Sequence, residues 1–203
     1  MLVNAFFPMV LPDVIGCPDP MLQQQIMMAA HHFCTETGVW NEIQDPIKLQ
    51  AGVTEYEIDA PSKDAYVARV SGVWLNNLKL EPEQLKKPKV EGVKPTGYHA
   101  SRARSAITLN GSPLADDILV VRAVYAPSLQ SKNLPDFLME RYADAIASGA
   151  KHRLMAMPGK DWSNPSISQF YRTQYDGALT DARIEMERGS VPGSLRVKPR
   201  PFF

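Results

Sequence analysis

The sequence predicts an α+β protein: a bundle dominated by three helices, with an inserted antiparallel β-sandwich or small barrel and an extended C-terminal arm. Three observations predict this architecture. Three segments carry apolar residues at helical spacing with clear start and stop signals, and the stretch between the first two alternates at strand period. The end of the chain is rich in proline. The predicted parts are residues 1–44 with the first bundle helix, 45–128 with the β module, 129–189 with the other two helices, and the arm, 190–203.

The first bundle helix is predicted to begin at Asp19-Pro20 and to end before Gly38. An acid that can cap a helix, followed by proline at the first helical position, is typical of a helix start. Its apolar residues lie three and four apart and therefore share one face. They are Leu22, Ile26, Ala29, Ala30 and Phe33.

Residues 45–128 are predicted to contain about six strands because apolar and polar residues alternate there. The runs are Ile47–Leu49, Tyr56–Ile58, Tyr66–Leu75, Leu78–Leu80, Ala106–Leu109 and Ile118–Tyr125. Gln50-Ala51-Gly52 predicts a hairpin between the first two runs, and Asn76-Asn77 predicts another between the next two. Residues 81–98, rich in lysine and proline, predict an exposed loop. Strands this few and this locally paired favour an antiparallel sheet over a parallel one.

The second bundle helix is predicted from about Leu134-Pro135-Asp136 to about Met157, before Pro158-Gly159. Its apolar stripe is Leu138, Tyr142, Ile146, Ala150 and Leu154. The third helix is predicted to begin at Asn164-Pro165 and to end at Arg188, before Gly189. Its stripe is Ile167, Tyr171, Gln174, Ala178 and Ala182, widened by Phe170, Tyr175 and Leu179.

Small residues on the second helix are candidates for a subunit contact. Ala143, Ala147 and Ala150, with Gly149 beside them, would permit a neighbouring helix to approach closely. Trp162 lies between this helix and the next, and two interpretations stay open for it. Its indole either closes the end of the bundle or contacts another subunit.

The arm, Ser190–Phe203, cannot continue the preceding helix because Pro192, Pro199 and Pro201 each restrict φ and lack an amide donor. It carries three basic residues and no acid, and it ends on two aromatic residues. Such a segment is either a frayed end or a peptide that docks on another molecule. The candidate docking residues are Arg196, Lys198, Arg200, Phe202 and Phe203.

Composition limits the classes of function. The 203 residues include 22 basic and 22 acidic residues, so no global charge attracts DNA or an anionic membrane. The Lys86, Lys87 and Lys89 cluster, with Arg102 and Arg104, is expected to be a solvated loop face. Two cysteines do not indicate a disulfide scaffold. Neither a signal peptide nor a membrane span is predicted, so the chain is expected to be soluble and intracellular when made.

Chemistry-bearing motifs give no catalytic, cofactor or metal site. His31 and His32 are adjacent on a helix and point about 100° apart, and only Glu36 shares a face with His32. Cys34 lies in the middle of the helix with no activating neighbour, which favours a small core residue. Neither a nucleophile elbow nor a phosphate-binding glycine loop occurs. The chain is therefore not expected to be an enzyme.

The order of parts resembles the head-to-tail adaptor, or connector, proteins of short-tailed bacteriophages, which join the portal to the tail. Three stretches carry the resemblance and together cover most of residues 17–189. They are HHFCTETGVWNEIQDPIKLQAGVTEYEI at 31–58, VSGVWLNNLKLEP at 70–82, and LPDFLMERYADAIASGAKHRLMAMPGKDWSNPSISQFYRTQYDGALTDARIEMERG at 134–189. Each alone is weakly specific, and their order and spacing carry more weight.

The resemblance implies a structural protein of the virion, located at the head–tail junction and assembled in the cytoplasm of a bacterial host. It implies a ring of about twelve copies that binds the portal protein and the tail or nozzle proteins, with a C-terminal arm on the portal. DNA would pass through the ring without specific binding, and no cofactor is implied. A second hypothesis is a ligand- or carbohydrate-binding module that uses the β module, with Trp74 or Tyr98 as stacking residues.

Overall fold

Four α-helices and two short 3-10 turns account for the helical part of the computed structural model, which describes residues 1–84, 92–101 and 105–188. The α-helices are α1 (Phe7–Val10), α2 (Asp19–Thr37), α3 (Asp136–Met155) and α4 (Pro165–Arg188), and the 3-10 turns are Val3–Phe6 and Leu11–Asp13. The predicted arm, with Arg196, Lys198, Arg200, Phe202 and Phe203, lies outside the described residues. So do the basic residues 86, 87, 89, 102 and 104.

The three predicted bundle helices are confirmed as α2, α3 and α4, with ends close to the predicted ones. Gly38 stops α2 because it adopts a left-handed conformation with φ of 70°, and its N–H donates to the Cys34 carbonyl at 2.9 Å. The α2 stripe is buried throughout, from Leu22 to Phe33. Tyr142 interrupts α3 with non-helical backbone angles, so this helix is kinked one third of the way along.

The first 14 residues form a short helical layer that the sequence pattern did not predict. Pro8 lies at the start of α1, and Pro12 lies at the start of the 3-10 turn Leu11–Asp13. Proline is tolerated at these positions because its missing N–H would have no helical partner. Phe6 and Val10 are fully buried against the bundle. Asp13 pairs with Lys151 of α3 at 2.6 Å, which ties this layer to the bundle.

Within the described residues, nine strands form two sheets. They are β1 (Asn41–Ile43), β2 (Ile47–Lys48), β3 (Glu55–Glu57), β4 (Ala65–Leu75), β5 (Leu78–Lys79), β6 (Glu81–Pro82), β7 (Gly97–Ser101), β8 (Ala106–Leu109) and β9 (Ile118–Pro127). One sheet has the order β1-β9-β4-β5, with β2 also paired to β9. The other has the order β3-β8-β7-β6. The mixed α+β fold class is therefore confirmed.

The hairpin predicted around Gln50-Ala51-Gly52 is wrong, whereas the β4–β5 hairpin is confirmed. β2 pairs with β9, and β3 pairs with β8 in the other sheet. The turn carries the chain between sheets, and Gly52 supplies its positive φ of 80°. The predicted loop 81–98 contains β6 and the start of β7, which pair in parallel. This pair departs from the predicted antiparallel pattern.

The core joins the sheets and the bundle. β9 lies at the centre because β1, β2 and β4 all pair with it and α2 packs on it. Side chains such as Val73, Val121 and Ile107 are fully buried in one cluster with most of the α2 stripe, while Phe33 belongs to a second cluster with Tyr175 of α4. No helix in the described ranges combines the length and apolar character that crossing a membrane requires.

Candidate subunit and docking surfaces

Tyr175 of α4 is the point where the three long helices meet. Its hydroxyl donates to the Ala29 carbonyl of α2 at 3.0 Å, and only 5% of the residue is exposed. Because this hydroxyl donates to the carbonyl, it accepts from Nδ1–H of His32, 2.9 Å away. Burial raises the pKa of Tyr175 well above its ordinary value. Gly149 of α3 lies against the tyrosine ring, where an added Cβ would come within 2.7 Å of a ring carbon.

The histidine pair is held by separate partners. His31 Nδ1 lies 2.8 Å from the Pro127 carbonyl, and His32 binds Tyr175. Glu36 pairs with Arg183 of α4. Cys34 is buried, and burial raises the pKa of its thiol to about 12. Each of these side chains therefore has a structural role in joining α2 to its neighbours.

His32 makes the stability of the bundle depend on pH. Burial lowers its pKa below 6.5, helped by Arg153 and Arg183 and opposed by Glu36 and Asp176. The unfolded chain then binds more protons than the folded one as the pH falls through 6.5. We expect the free energy of unfolding to be greatest above this pH and to decrease as the pH falls from it towards the folded-state pKa.

Urea unfolding of wild type and His32→Gln between pH 8 and pH 5 measures this effect. The substitution should remove the part of the slope that His32 contributes. An NMR titration that gave His32 a pKa above 6.5 in the folded protein would contradict the expectation.

α4 buries only part of the predicted apolar face. Ser168, Tyr175, Leu179 and Ala182 face the core. Of the predicted stripe, Gln174 is exposed and Ile167 is 43% exposed, while Phe170 beside it is 56% exposed. The predicted stripe is thus wrong at Ile167, Gln174 and Phe170, whereas Tyr171 and Ala178 are partly buried against the core and Ala182, Tyr175 and Leu179 are buried. α4 carries apolar surface on a second side that the described chain leaves uncovered.

A groove of about 370 Å³ runs between α3 and α4. Ala143 and Ala178 line it, and its rim is charged. The rim residues are Glu140, Arg141, Asp144, Asp181 and Glu185. Arg141 pairs with Glu185, which also accepts a hydrogen bond of 3.2 Å from the Tyr142 hydroxyl.

The candidate subunit-contact residues lie in different environments. Ala147 and Ala150 are 3% and 0% exposed, so they pack within this chain and present no surface to a second subunit in this conformation. Ala143 is half-buried in the groove wall. Trp162 packs on the core, and its Nε1 is buried with no hydrogen-bond partner among the described residues. A subunit contact stays a prediction for Ala143 and Trp162.

The two aromatic residues of the ligand-binding hypothesis are largely occupied. Trp74 is half-buried against Gly72, with the Arg122 guanidinium 5.4 Å from its ring centroid. Tyr98 is 5% exposed, and burial raises its pKa. Tyr98 therefore offers no open face for stacking on a sugar, and Arg122 already lies over the Trp74 ring.

A second groove, of about 460 Å³, lies beside β1, and sequence reasoning missed it. We call it the β1-edge groove. It is lined by the segment from Glu42 to Ile47, by Glu57, Asp59, Ala60 and Pro61, and by Tyr125. Four carboxylates surround it: Glu42, Asp45, Glu57 and Asp59. The acidic residues that cluster before and after Gln50 in the sequence could have indicated this groove. The incorrect hairpin prediction gave these residues a different arrangement, so the groove was not predicted.

No family model matches the chain, and no curated protein matches it.

Proposed function

We propose that this chain is a structural protein of a bacteriophage virion that assembles as a ring between the portal and the tail. The observation that carries the proposal is the second apolar side of α4, where Ile167 and Phe170 are exposed on a helix that buries another face in the core. An amphipathic helix normally buries its apolar face, and exposed apolar clusters mark interaction sites. The order of the helices and the β module resembles that of the adaptor proteins. This resemblance is the reason for assigning the exposed surface to a contact within a ring.

A ring needs two different surfaces that fit each other, because contact between unlike surfaces propagates from copy to copy. The exposed residues around Phe170 and the groove at Ala178 lie about 12 Å apart along α4, at 1.5 Å per residue. They can therefore serve as the two halves of such a contact. Small groove residues would admit the aromatic ring of a neighbouring copy.

The net charge and the C-terminal arm suggest how the ring would pass DNA and bind its neighbours. A net charge of zero suits a ring whose channel passes DNA without retaining it. Arg196, Lys198 and Arg200 would meet acidic groups on the portal, and Phe202 or Phe203 would enter apolar pockets there. Tail or nozzle proteins would bind the other end of the ring.

Mass measurement of the purified chain, alone and with the portal protein of the same virus, tests the proposal. We expect a complex in which several copies of the chain bind one portal ring. A chain that stays monomeric and ignores the portal would refute the adaptor function.

Phe170→Asp should prevent ring formation without unfolding the chain. A charge in an apolar contact costs several kcal/mol when it is buried, whereas Phe170 is 56% exposed in the single chain. Light scattering in the presence of portal measures the ring, and circular dichroism checks the fold. Leu78→Asp, at a 64% exposed position in β5, is the matched control and should still assemble. Equal assembly of both variants would place the contact elsewhere.

A further inference from the structure

Among the described strands, β1 pairs only with β9, so its outer edge has no partner there. Tyr125 N–H donates to the Trp40 carbonyl, and Gln44 N–H donates to the Val121 carbonyl, both across the β1–β9 ladder. In an antiparallel pair, main-chain groups of alternate residues face the partner strand. The N–H and C=O groups of Asn41 and Ile43 therefore point away from β9. Within the described ranges, no hydrogen bond uses these outward groups.

The surface beside this edge combines apolar and acidic character. Ile43 is 57% exposed, and Pro46 and Pro61 line the same groove. Glu42 accepts a hydrogen bond from Trp40 Nε1 at 2.8 Å. No lysine or arginine among the described residues lines the groove. An occupant with basic side chains, an apolar end and a main chain able to pair would complement it.

The C-terminal arm has this chemistry in a specific arrangement. Arg196, Lys198 and Arg200 are two residues apart, so an extended chain places their side chains on one face and their main-chain groups on one edge. Pro199 and Pro201 fall at the alternate positions, where they remove donors only from the opposite edge. Lys198 and Arg200 each precede a proline, which favours extended backbone. The arm is therefore suited to pair with a strand edge on one side only.

The end of α4 lies close to this edge. Met186 and Glu187, just before the last α4 residue, line the same pocket of about 340 Å³ as Asn41, the first residue of β1. The arm begins directly after, and eight extended residues from Arg188 to Arg196 span up to about 26 Å. From Asn41 to Ile47 the chain covers at most about 20 Å. The arm thus has enough length to reach the groove of its own chain.

We propose that residues 190–203 dock on the β1-edge groove of the same chain in the free subunit, pairing with Asn41 and Ile43 and neutralising the acidic rim. A short tether gives the arm a millimolar effective concentration at this edge, which favours its own chain over a second copy. Docking covers an open strand edge that would otherwise pair with other chains. The contact does not depend on the adaptor function, since it needs only this chain.

Hydrogen exchange measured by NMR on the full chain and on a chain ending at Gly189 tests the docking. We expect the amides of Asn41 and Ile43 to exchange about tenfold or more faster without the arm. Lys79 in β5, at the other edge of the same sheet, should exchange equally in both proteins. In 1 M salt, where charges are screened beyond about 3 Å, the protection in the full chain should weaken.

Charge reversal distinguishes attraction of the arm to the β1-edge groove from attraction to the overall charge of the protein. Asp45→Lys with Glu57→Lys should reproduce the effect of truncation. Glu140→Lys with Asp144→Lys, in the α3–α4 groove, changes the net charge equally and should leave the protection intact. All four positions are exposed, so neither variant should disturb the core.

Arg102 and Arg104 are competing cations, because they precede Ser105, whose carbonyl accepts from Ile58 N–H beside the acidic rim. Replacing both by alanine should leave the protection of Asn41 and Ile43 unchanged. Equal exchange of these amides with and without the arm would overturn the proposal. Protection that rises with protein concentration together with a dimer mass would also overturn it, in favour of docking between copies.

Discussion

Removal of Ser190–Phe203 is expected to weaken binding to the portal by at least about 100-fold. One arm that loses its freedom on docking binds weakly, but a ring presents many arms at once, and linked contacts strengthen binding by about 10²–10⁴. Truncation removes every arm of the ring, so the whole gain in binding strength from linked contacts is lost. Sedimentation of truncated and full-length protein with the portal measures the loss.

The folded body should survive this truncation. Within the described residues, the core consists of two buried clusters formed without the arm, so we expect a melting temperature within about 6 °C of the full chain. Phe202→Ala with Phe203→Ala gives a milder version that keeps the basic residues. Normal portal binding by the truncated chain would exclude the arm as the docking element while leaving the ring proposal to its own test. A large fall in melting temperature would show that the arm is part of the core.

Gly149→Ala is expected to destabilise the protein by about 1–3 kcal/mol, although alanine is the better helix former. The added Cβ would lie 2.7 and 2.8 Å from two ring carbons of Tyr175 and 3.2 Å from the Ala29 Cβ. The ring cannot yield easily because its hydroxyl is bonded to the Ala29 carbonyl and to His32. The helices must therefore separate. Urea unfolding monitored by circular dichroism measures the change.

Gly177→Ala is the matched control for this substitution. Gly177 also lies inside a long helix, but an added Cβ there meets nothing within 4 Å. We expect a gain in stability of about 0.5–1 kcal/mol from helix propensity alone. If Gly149→Ala stabilised the protein as much, the close approach of α3 and α4 at Tyr175 would be wrong.

Helices were the part of the fold most predictable from the sequence. Gly38 and Asn164 mark helix ends through local chemistry, because Gly38 adopts a left-handed φ of 70° and the Asn164 side chain accepts from Ile167 N–H, so the surrounding fold does not alter them. Strand partners were less predictable, because Gln50–Gly52 has the composition of a hairpin turn whether it joins neighbours or crosses between sheets. Pairing of β2 with β9 depends on residues about 70 positions away.

The surfaces were harder to predict for a related reason. The α4 stripe was recognised as apolar, but the pattern cannot say whether a core or another molecule covers it. Ile167 and Tyr175 have similar apolar character, and only packing against α2 and Gly149 buries the second. Likewise, the acids at 42, 45, 57 and 59 lie in two segments that the fold brings together, where Gln44 Nε2 and the Tyr125 hydroxyl both donate to the Asp59 carbonyl. The spacing of residues along the chain does not indicate which surface is covered or which distant segments come together.

The arrangement of the bundle also has a consequence for biosynthesis. α2 emerges from the ribosome early, but its partners α3 and α4 follow only after the whole β module. At about 5–20 residues per second, roughly 8 to 30 s separate Thr37 from Arg188. During that interval Leu22, Ile26 and Phe33 of the nascent chain have no native cover from these helices. We therefore expect chaperones that bind exposed apolar segments to bind the nascent chain at α2.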